Sequence, residues 1–285
     1  MALMLTLLEV IKRTTDFFAA KEVENPRLNA ELLVGHALGL PRMQLYLQFE
    51  RLLTEPELEK IRPLVKRRGQ REPLQYLLGE TEFFHIRLKT DRRALIPRPE
   101  TERLCELITE RMEKAPATIL DLGTGGGAIA LALAAFYPQS AVTAVDRSDE
   151  ALALARENAE ALGLTSRLRL VRADWYAGLE PGARFDLIAA NPPYLSADEV
   201  AGAAREIREH EPRDALTPGA GGREALDLII AGARARLTPG GLLALETGVD
   251  QHAALREKTS AAGFTRVESR PDLNNRDRYL LAWCG

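Results

Sequence analysis

The sequence predicts a doubly wound α/β fold with a mostly parallel sheet, preceded by a small all-helical domain. From residue 118 onward, short apolar runs of strand length alternate with segments whose apolar residues recur at helical spacing. A glycine-rich turn joins the first of these runs to the first helical segment, as in doubly wound sheets that hold a ligand at their carboxyl edge. Before residue 79, by contrast, the apolar residues follow helical spacing. The two patterns therefore predict two domains of different class.

Length and composition suit such a protein. The chain has 285 residues, of which 46% are hydrophobic and 28% are charged, as in ordinary globular proteins. Its formal net charge of -3 argues against a strongly basic face that would hold nucleic acid stably. The two cysteines, Cys105 and Cys284, and the four scattered histidines lack metal-ligand spacing. We therefore expect neither a metal site nor a disulfide framework.

The N-terminus predicts neither export nor membrane insertion. Charged residues interrupt its apolar stretch at helical spacing, whereas a signal peptide requires an unbroken apolar centre and a small-residue cleavage site. No stretch of the sequence is long and apolar enough to span a membrane. We expect a cytoplasmic protein without a membrane partner, and we expect it to be a monomer.

Residues 1–78 form the predicted helical domain. Asn25 stands before a proline, a pair typical of a capping residue followed by the first helical position, and Gly39 ends that helix. The Thr-Glu-Pro-Glu run over residues 54–57 is a capping box that opens a third long helix. The basic run over residues 66–71 is either a solvated helix face or a contact for a charged partner. The domain carries no catalytic pattern, so we predict that it recognises the substrate or serves as a cap.

Residues 79–98 form the predicted linker. The alternating run from Phe83 to Lys89 predicts a strand or a hairpin. The linker leads into Ile96-Pro97-Arg98-Pro99-Glu100-Thr101-Glu102, where two prolines around one arginine make a stiff, extended entry to the next helix. Arg98 is therefore either part of a connector or a contact for the substrate.

Residues 99–285 form the predicted α/β domain. Its strands are predicted over residues 118–122, 141–145, 168–171, 185–190 and 241–246. Its helices are predicted over residues 128–136, 151–162, 224–237 and 252–262. The last two runs, over residues 265–269 and 278–283, are expected to pair antiparallel at the edge of the sheet.

The turn after the first strand of this domain is the predicted cofactor loop. It follows Asp121 and consists of Gly123, Thr124, Gly125, Gly126 and Gly127. Glycines let the backbone adopt positive φ and approach a ligand closely, although a tight turn could need them for packing alone. Asp146 ends the next strand, where a ribose diol is held in such sheets. A pyrophosphate site prefers no carboxylate before its loop, whereas S-adenosyl-L-methionine is cationic, so Asp121 favours S-adenosyl-L-methionine as the cofactor.

Asp174 and Trp175 follow the third strand of the domain. In a doubly wound sheet this position borders the adenine ring of a bound nucleoside. We predict that Asp174 faces the base and that Trp175 covers it, and the alternative is that Trp175 only fills the core.

The strand over residues 185–190 ends in Asn191-Pro192-Pro193-Tyr194. The prolines lack N–H donors and hold φ near −65°, so the turn is stiff and its carbonyl oxygens are free to accept. Asn191 adds a side-chain oxygen and Tyr194 adds a flat ring. Two acceptors beside a ring suit a planar N–H₂ group, so these four residues are the predicted substrate site. An ordinary strand-ending turn is the alternative.

With these motifs placed, the chain resembles class I methyltransferases, and more narrowly the release-factor glutamine methyltransferases of the HemK/PrmC family. The motifs that carry the resemblance are residues 96–102, 121–127 and 191–194, supported by residues 211–216 and 276–278. The resemblance implies a seven-stranded sheet and methylation of the glutamine side-chain amide in the Gly-Gly-Gln motif of peptide-chain release factors. The products would be the methylated protein and S-adenosyl-L-homocysteine.

The expected mechanism uses the turn as an acceptor pair. Asn191, through its side-chain oxygen, and the carbonyl of Pro192 would accept the two amide hydrogens of the glutamine, and Tyr194 would pack against it. Pro193 stiffens the turn, Arg98 joins the substrate contacts, and Asn191 also borders the cofactor. Most of the rate should then come from orientation and from acceptors that match the charge developing on nitrogen.

The chain departs from the family pattern at two places. Gly126 stands where the family usually has threonine, and Asn274-Asn275 stands where it commonly has Ala-Gly. Asparagine tolerates positive φ, so the second turn is expected to keep its shape. The rival functions are a nucleic-acid exocyclic-amine methyltransferase, a ribosomal-protein glutamine methyltransferase, a dinucleotide oxidoreductase and a non-catalytic binding protein.

Overall fold

The computed structural model describes residues 5–218 and 222–285, so the first four residues of the predicted helical domain lie outside the described part. The helices are α1 (Leu7–Ala20), α2 (Pro26–Leu38), α3 (Arg42–Tyr46), α4 (Glu55–Gly69), α5 (Leu74–Leu78), α6 (Pro99–Arg111), α7 (Ala128–Phe136), α8 (Asp149–Ala161), α9 (Ala197–Gly202), α10 (Arg205–His210), α11 (Glu224–Arg236) and α12 (His252–Ala261). The strands are β1 (Glu80–Phe83), β2 (Ile86–Lys89), β3 (Thr118–Leu122), β4 (Ala141–Asp146), β5 (Leu168–Arg172), β6 (Phe185–Ala190), β7 (Leu237–Glu246), β8 (Arg266–Pro271) and β9 (Asp277–Trp283).

The chain folds into two compact units. The first consists of the residues up to Gly79 together with Ala204–His210, and the second consists of Glu80–Ala203 together with Glu211–Gly285. Helix α10 therefore belongs to the helical unit, although it lies far along the chain from the other five helices. None of the helices in the described part of the chain is long and apolar enough to cross a membrane.

The helical unit has its own apolar core. Helix α1 buries one face at helical spacing, and this face meets buried residues of α2 and α4. The core consists mainly of leucine, isoleucine, valine and phenylalanine, including Leu7, Ile11, Phe18, Leu33 and Ile61. Burial of these side chains is what stabilises helices of this length.

The ends of α2 agree with the prediction in part. The helix begins at Pro26 and stops before Gly39, which adopts a left-handed φ of 66°. Asn25 occupies the N-cap position as predicted, but it is itself left-handed (φ 47°) and its side chain makes no capping bond. Instead, the buried Asn29 amide nitrogen donates to the carbonyl oxygen of Glu24 at 2.9 Å.

The basic run at the end of α4 binds a carboxylate of the same unit. Arg71 makes two bonds of 2.7 Å to the two carboxylate oxygens of Glu206 in α10. Arg68, which is 5% exposed, donates to Glu206 at 3.0 Å and to the side-chain oxygen of Asn29 at 2.8 Å. These bonds hold α10 in the helical unit, and two arginines of the run thus have an internal role.

The second unit contains the predicted seven-stranded sheet, in the order β5-β4-β3-β6-β7-β9-β8. The pairs from β5 to β7 are parallel, and β9 pairs antiparallel with both β7 and β8, which confirms the predicted antiparallel edge. β1 and β2 form a separate antiparallel hairpin. One face of the sheet packs against α6, α7 and α8, and the other packs against α11 and α12. The sheet is therefore buried on both faces, as continuous apolar strands require.

Candidate active site

A cavity of about 780 Å³ lies at the carboxyl edge of the parallel strands, within the second unit. Ligands of doubly wound sheets bind at this edge. Of the predicted site residues, the cavity is lined by Arg98, Gly123, Thr124, Gly125, Gly126, Asp146, Asp174, Trp175, Asn191 and Pro193. Four others are not part of this lining, namely Asp121, Gly127, Pro192 and Tyr194.

The glycine loop between β3 and α7 folds back on β4. The N–H groups of Gly123 and Thr124 both donate to the carbonyl oxygen of Val145 at 2.9 Å. Gly123, Gly125 and Gly127 all have positive φ, from 55° to 88°. A Cβ on Gly127 would lie 2.9 Å from the side chain of Leu131, so this position needs glycine for both its φ and its packing. The loop therefore presents bare backbone to the cavity.

Gly126, where this chain has glycine in place of the expected threonine, packs closely against helix α8. A Cβ at Gly126 would lie 3.1 Å from the Leu154 side chain in α8, and the carbonyl oxygen of Gly126 accepts from the Asn158 amide nitrogen at 2.9 Å. The loop is therefore anchored to α8 through its backbone, and a larger residue at position 126 would have to displace Leu154.

Asp146 closes the other side of the loop. One carboxylate oxygen accepts from the N–H of Gly125 at 2.8 Å, and the other accepts from the N–H of Ser148 at 2.9 Å. A carboxylate has about four acceptor positions, so each oxygen retains capacity for a further donor. Asp146 can therefore shape the loop and still accept hydroxyl groups from a ligand in the cavity.

Asp121 lies beneath the loop and is completely buried. Its Oδ2 accepts from the hydroxyl of Thr124 at 2.6 Å and from the N–H of Ala130 at 3.1 Å, while Oδ1 has no partner. Burial raises the pKa of Asp121 to about 7, and the bonds from Thr124 and Ala130 oppose that rise. The sequence suggested an acid that meets the cofactor directly, whereas the structure gives Asp121 contacts to the loop and to the start of α7.

Asp174 and Trp175 border the cavity where β5 ends. The Trp175 ring lies 3.5 Å from the position that a Cβ on Gly123 would occupy, and the ring also packs against the core on the α11 and α12 face. The packing against the core agrees with the second interpretation of Trp175, and the cover over an adenine ring stays a prediction. Its φ of 49° is unusual for an aromatic residue and directs the ring toward the glycine loop.

Asn191 is joined to a buried carboxylate through one hydroxyl. Its amide nitrogen Nδ2 donates to Oγ1 of Thr101 at 2.8 Å, and the Thr101 hydroxyl donates to Oε2 of Glu246 at 2.7 Å. The hydroxyl of Tyr194 donates to Oε1 of Glu246 at 2.9 Å. Burial raises the pKa of Glu246, and the hydrogen bonds from Thr101 and Tyr194 oppose the rise. We call Asn191, Thr101, Glu246 and Tyr194 the amide relay.

Tyr194 has an inward contact that its motif did not indicate, and its packing against a substrate amide stays a prediction. Its hydroxyl points inward to Glu246, and the Arg278 guanidinium lies 5.5 Å from its ring centroid. Burial also raises the pKa of Tyr194, so the phenol stays protonated. Pro192 is buried as well, and Asn191 and Pro193 are the residues of this turn that border the cavity.

Arg98 borders the cavity but is already paired. Its guanidinium forms an ion pair with Glu211, whose side chain is 1% exposed. The second carboxylate oxygen of Glu211 accepts from the N–H of Ile96 at 3.1 Å. The stiff entry to α6 and the segment after α10 are thus held together by one carboxylate, and much of the charge on Arg98 is compensated.

Two residues of the amide relay were missed as site residues from the sequence. Thr101 lies inside the motif of residues 96–102, but the prediction from that motif concerned only its prolines and Arg98. Glu246 ends a buried strand, and a carboxylate in that position is costly unless it is hydrogen-bonded. A carboxylate at the end of an otherwise apolar strand is thus the feature of the sequence that could have identified Glu246 as a site residue.

Comparisons with known proteins cover both units. Residues 9–79 match the family model of the PrmC N-terminal domain, and residues 100–221 match that of the methyltransferase small domain. The release factor glutamine methyltransferase of Rhodopirellula baltica is 40% identical over 285 residues, which is 96% of this chain and 95% of that protein. The enzyme of the same name from Chlorobaculum tepidum is 42% identical over 284 residues, 96% of each chain.

A solved structure is similar to this chain in fold. It is a 16S rRNA N2 G1207 methyltransferase of T. thermophilus in complex with AdoMet and guanosine, with a TM-score of 0.53 and 22% identity. The match covers 72% of this chain and 50% of that one. At this identity the likeness concerns the fold, whereas the two relatives above match along nearly their whole length.

Proposed function

Because this chain belongs to the release factor glutamine methyltransferase family, we propose that its target is the glutamine in the Gly-Gly-Gln motif of peptide-chain release factors. It is a methyltransferase that uses S-adenosyl-L-methionine and acts on a glutamine side-chain amide. The proposal concerns three points: the target motif, the residues that bind that motif and the residues that bind the cofactor. Residues 191–194, with the cavity beside them, are its centre.

The single observation that carries the proposal is the orientation of the Asn191 amide. One N–H of its Nδ2 is committed to Thr101, so Oδ1 is the end of the amide turned away from Thr101. Asn191 borders the cavity, and an oxygen there accepts an N–H of a second amide. A glutamine side chain supplies two such N–H groups on the nitrogen to be methylated.

The residues around the cavity fit S-adenosyl-L-methionine, which when bound supplies an electrophilic methyl group on a cationic sulfur. Asp146 has acceptor capacity for the ribose hydroxyls, and Asp174 and Trp175, which line the cavity, would hold the adenine ring. The bare loop from Gly123 to Gly126 leaves room for close approach. Asp121 has one unpartnered buried oxygen close to the loop, and in its ionised form the carboxylate would favour a cationic ligand.

The chain accelerates transfer chiefly by orientation. The nitrogen lone pair of an amide is delocalised into its carbonyl group, so the nitrogen must be aimed and its hydrogens must be accepted. Asn191 Oδ1 provides one acceptor, and the carbonyl of Pro192, which lies between the two turn residues that line the cavity, is proposed as the second. As positive charge develops on nitrogen, these acceptors bind it more strongly, and a proton then leaves to solvent. The stiffness of Pro192-Pro193 keeps the acceptors in place.

Arg98 has a supporting part in the proposal. Its side chain is 27% exposed at the cavity border despite the pair with Glu211, and we propose that its guanidinium also donates to a backbone carbonyl of the substrate. A protein substrate presents such carbonyls on either side of the glutamine, whereas a flipped nucleobase does not. The formal net charge of -3 likewise supports a protein substrate over a nucleic acid that is held stably.

One assay tests the function against its rivals. The chain is incubated with labelled methyl donor and, separately, release factor, the same factor with the motif glutamine changed to alanine, duplex DNA, ribosomal RNA and ribosomal protein. We expect the labelled methyl group to appear on the unmodified release factor alone. Label on DNA or RNA would establish a base-amine enzyme, and undiminished label on the alanine factor would remove the glutamine from the proposal.

A further inference from the structure

We infer that Thr101 and Glu246 are positioning residues that determine which atom of the Asn191 amide faces the cavity. The inference rests on the proposed function of Asn191 and deepens it. Neither residue needs to touch the substrate glutamine to act. Together they make the site present an acceptor, and therefore select a substrate group that donates.

The argument begins at the buried end of the amide relay. Both oxygens of Glu246 accept a hydrogen bond, which is the arrangement of an ionised carboxylate, a group that accepts and cannot donate. Glu246 accepts from Tyr194 on one oxygen and from Thr101 on the other. A threonine hydroxyl has a single proton, and Thr101 uses it on Glu246. Its oxygen can therefore only accept from the next group in the relay.

The next group is the Asn191 amide, which has one donating end and one accepting end. Because Thr101 must accept, the atom that lies 2.8 Å from it is Nδ2, and Oδ1 is turned away. The opposite orientation would place Oδ1 against a threonine oxygen that has no proton to give, leaving two buried acceptors facing each other. The carboxylate thus sets the direction of every bond in the relay.

The relay is held rigidly by three elements that meet behind the cavity. Thr101 lies in the first turn of α6, Glu246 is the last residue of β7, and Asn191 follows β6. Thr101 is 5% exposed and Glu246 is 1% exposed. Tyr279 is the backbone partner of Glu246 in the sheet, and its hydroxyl donates to the carbonyl oxygen of Glu100 at 2.9 Å. This bond anchors the start of α6. Little room remains for the side chains to rearrange.

The orientation matters because the reacting group is itself a donor. A glutamine N–H₂ meets an acceptor if Oδ1 faces the cavity, and it meets another N–H₂ if the Asn191 amide is reversed. Reversal would leave the reacting nitrogen without one of its acceptors as positive charge develops there. The loss should therefore fall on turnover more than on cofactor binding.

The first test compares two substitutions at Thr101. Thr101→Val keeps the shape but removes the hydroxyl, so Asn191 loses its acceptor and its preferred orientation. Thr101→Ser retains the hydroxyl and is the matched control. We expect kcat for release-factor methylation to fall on the order of tenfold or more in the valine variant, with KM and the Kd of S-adenosyl-L-methionine little changed. The serine variant should stay near wild type.

The second test exchanges the amide and the carboxylate at the ends of the relay. In Glu246→Gln, the new amide oxygen accepts from Tyr194 and the new amide nitrogen donates to Thr101. The Thr101 hydroxyl then donates to Asn191, so Oδ1 of Asn191 turns toward Thr101 and Nδ2 turns toward the cavity. In Asn191→Asp, two carboxylates compete for the one Thr101 proton. The double variant again has one amide and one carboxylate, and the carboxylate now at position 191 presents an oxygen to the cavity.

We therefore expect each single variant to be impaired and the double variant to exceed both in turnover. A purely structural role for Glu246 predicts a double variant no better than the worse single one, and that result would overturn the inference. The same four proteins are compared by urea unfolding, where the relay predicts a favourable coupling between the two substitutions. Unfolding needs no substrate, so it tests the relay even if the wild-type protein labels no release factor and the proposed function fails.

Discussion

The carboxylate of Asp146 accepts a hydrogen bond of 2.8 Å from the backbone N–H of Gly125. The residue expected to hold the ribose therefore also holds the loop over which the cofactor is expected to lie. On the proposed function, a single substitution at this position would disturb two contacts to the same ligand, one direct and one through the shape of the loop.

Asp146→Ala should weaken the binding of S-adenosyl-L-methionine by about tenfold or more, since each lost bond to a charged group typically contributes about 1.5–3 kcal/mol. Isothermal titration calorimetry measures the effect. Asp149→Ala is the matched control, because Asp149 is exposed and pairs with Arg172 outside the cavity lining. Unchanged affinity in the Asp146 variant would remove this residue from the cofactor site.

Asn191→Ala should lower the turnover of release-factor methylation on the order of a hundred- to a thousandfold, because it removes an aimed acceptor from the reacting nitrogen. S-adenosyl-L-methionine binding should fall only modestly. Initial rates under saturating donor give the first quantity and calorimetry gives the second. Asn274→Ala, in the exposed turn before β9, is the control. A variant at position 191 with near wild-type turnover contradicts the assignment.

The raised pKa of Asp121 predicts a specific dependence of stability on pH. Folding shifts this pKa from 3.8 to about 7, so between these values the folded protein holds a proton that the unfolded chain releases. The contribution of Asp121 to the free energy of unfolding is therefore present at low pH and is lost as pH rises toward about 7. The slope is at most about 1.4 kcal/mol per pH unit.

Asp121→Asn has no such titration, so the difference in free energy of unfolding between wild type and variant should change across this window and level off above about pH 7. Urea unfolding at a series of pH values measures that difference and cancels the contributions of the other carboxylates. A difference that does not vary with pH would show that Asp121 is ionised throughout.

Arg98→Ala should destabilise the protein by about 3 kcal/mol, because it leaves the buried carboxylate of Glu211 without its cation. In a Glu211→Gln background the same substitution should cost much less, since no buried charge is left unpaired. A double-mutant cycle by urea unfolding measures the coupling. Equal costs in the two backgrounds would mean that the ion pair contributes nothing to stability, and Arg98 would then be free for the substrate.

The sequence predicted the sheet well because its strands are buried on both faces. β3, α7 and β6 lie at the predicted residues, and the pattern left little choice, since an apolar run followed by a turn has one place in a doubly wound fold. β7 begins at Leu237, four residues before the prediction, because Pro239 and Gly240 conceal the start of the strand. Helices α9 and α10 were not predicted, since six residues give too short a pattern.

The candidate site was predicted less completely, for a different physical reason. Motifs locate residues at the ends of strands, but they do not show which atoms are already hydrogen-bonded to the rest of the protein. Thus the inward hydroxyl of Tyr194 and the buried position of Asp121 followed only from three-dimensional contacts. Asn275, by contrast, has the left-handed φ of 58° that its turn was expected to require.

The bonds from Arg68 and Arg71 to Glu206 make the helical unit discontinuous in sequence. A fragment that ends at Gly79 would contain a largely buried arginine without its carboxylate, and a fragment that begins at Glu80 would carry the orphaned α10. Unpaired buried charge of this kind is strongly destabilising. The helical unit is therefore not a detachable module: it could be exchanged between relatives only if the segment Ala204–His210 travelled with it.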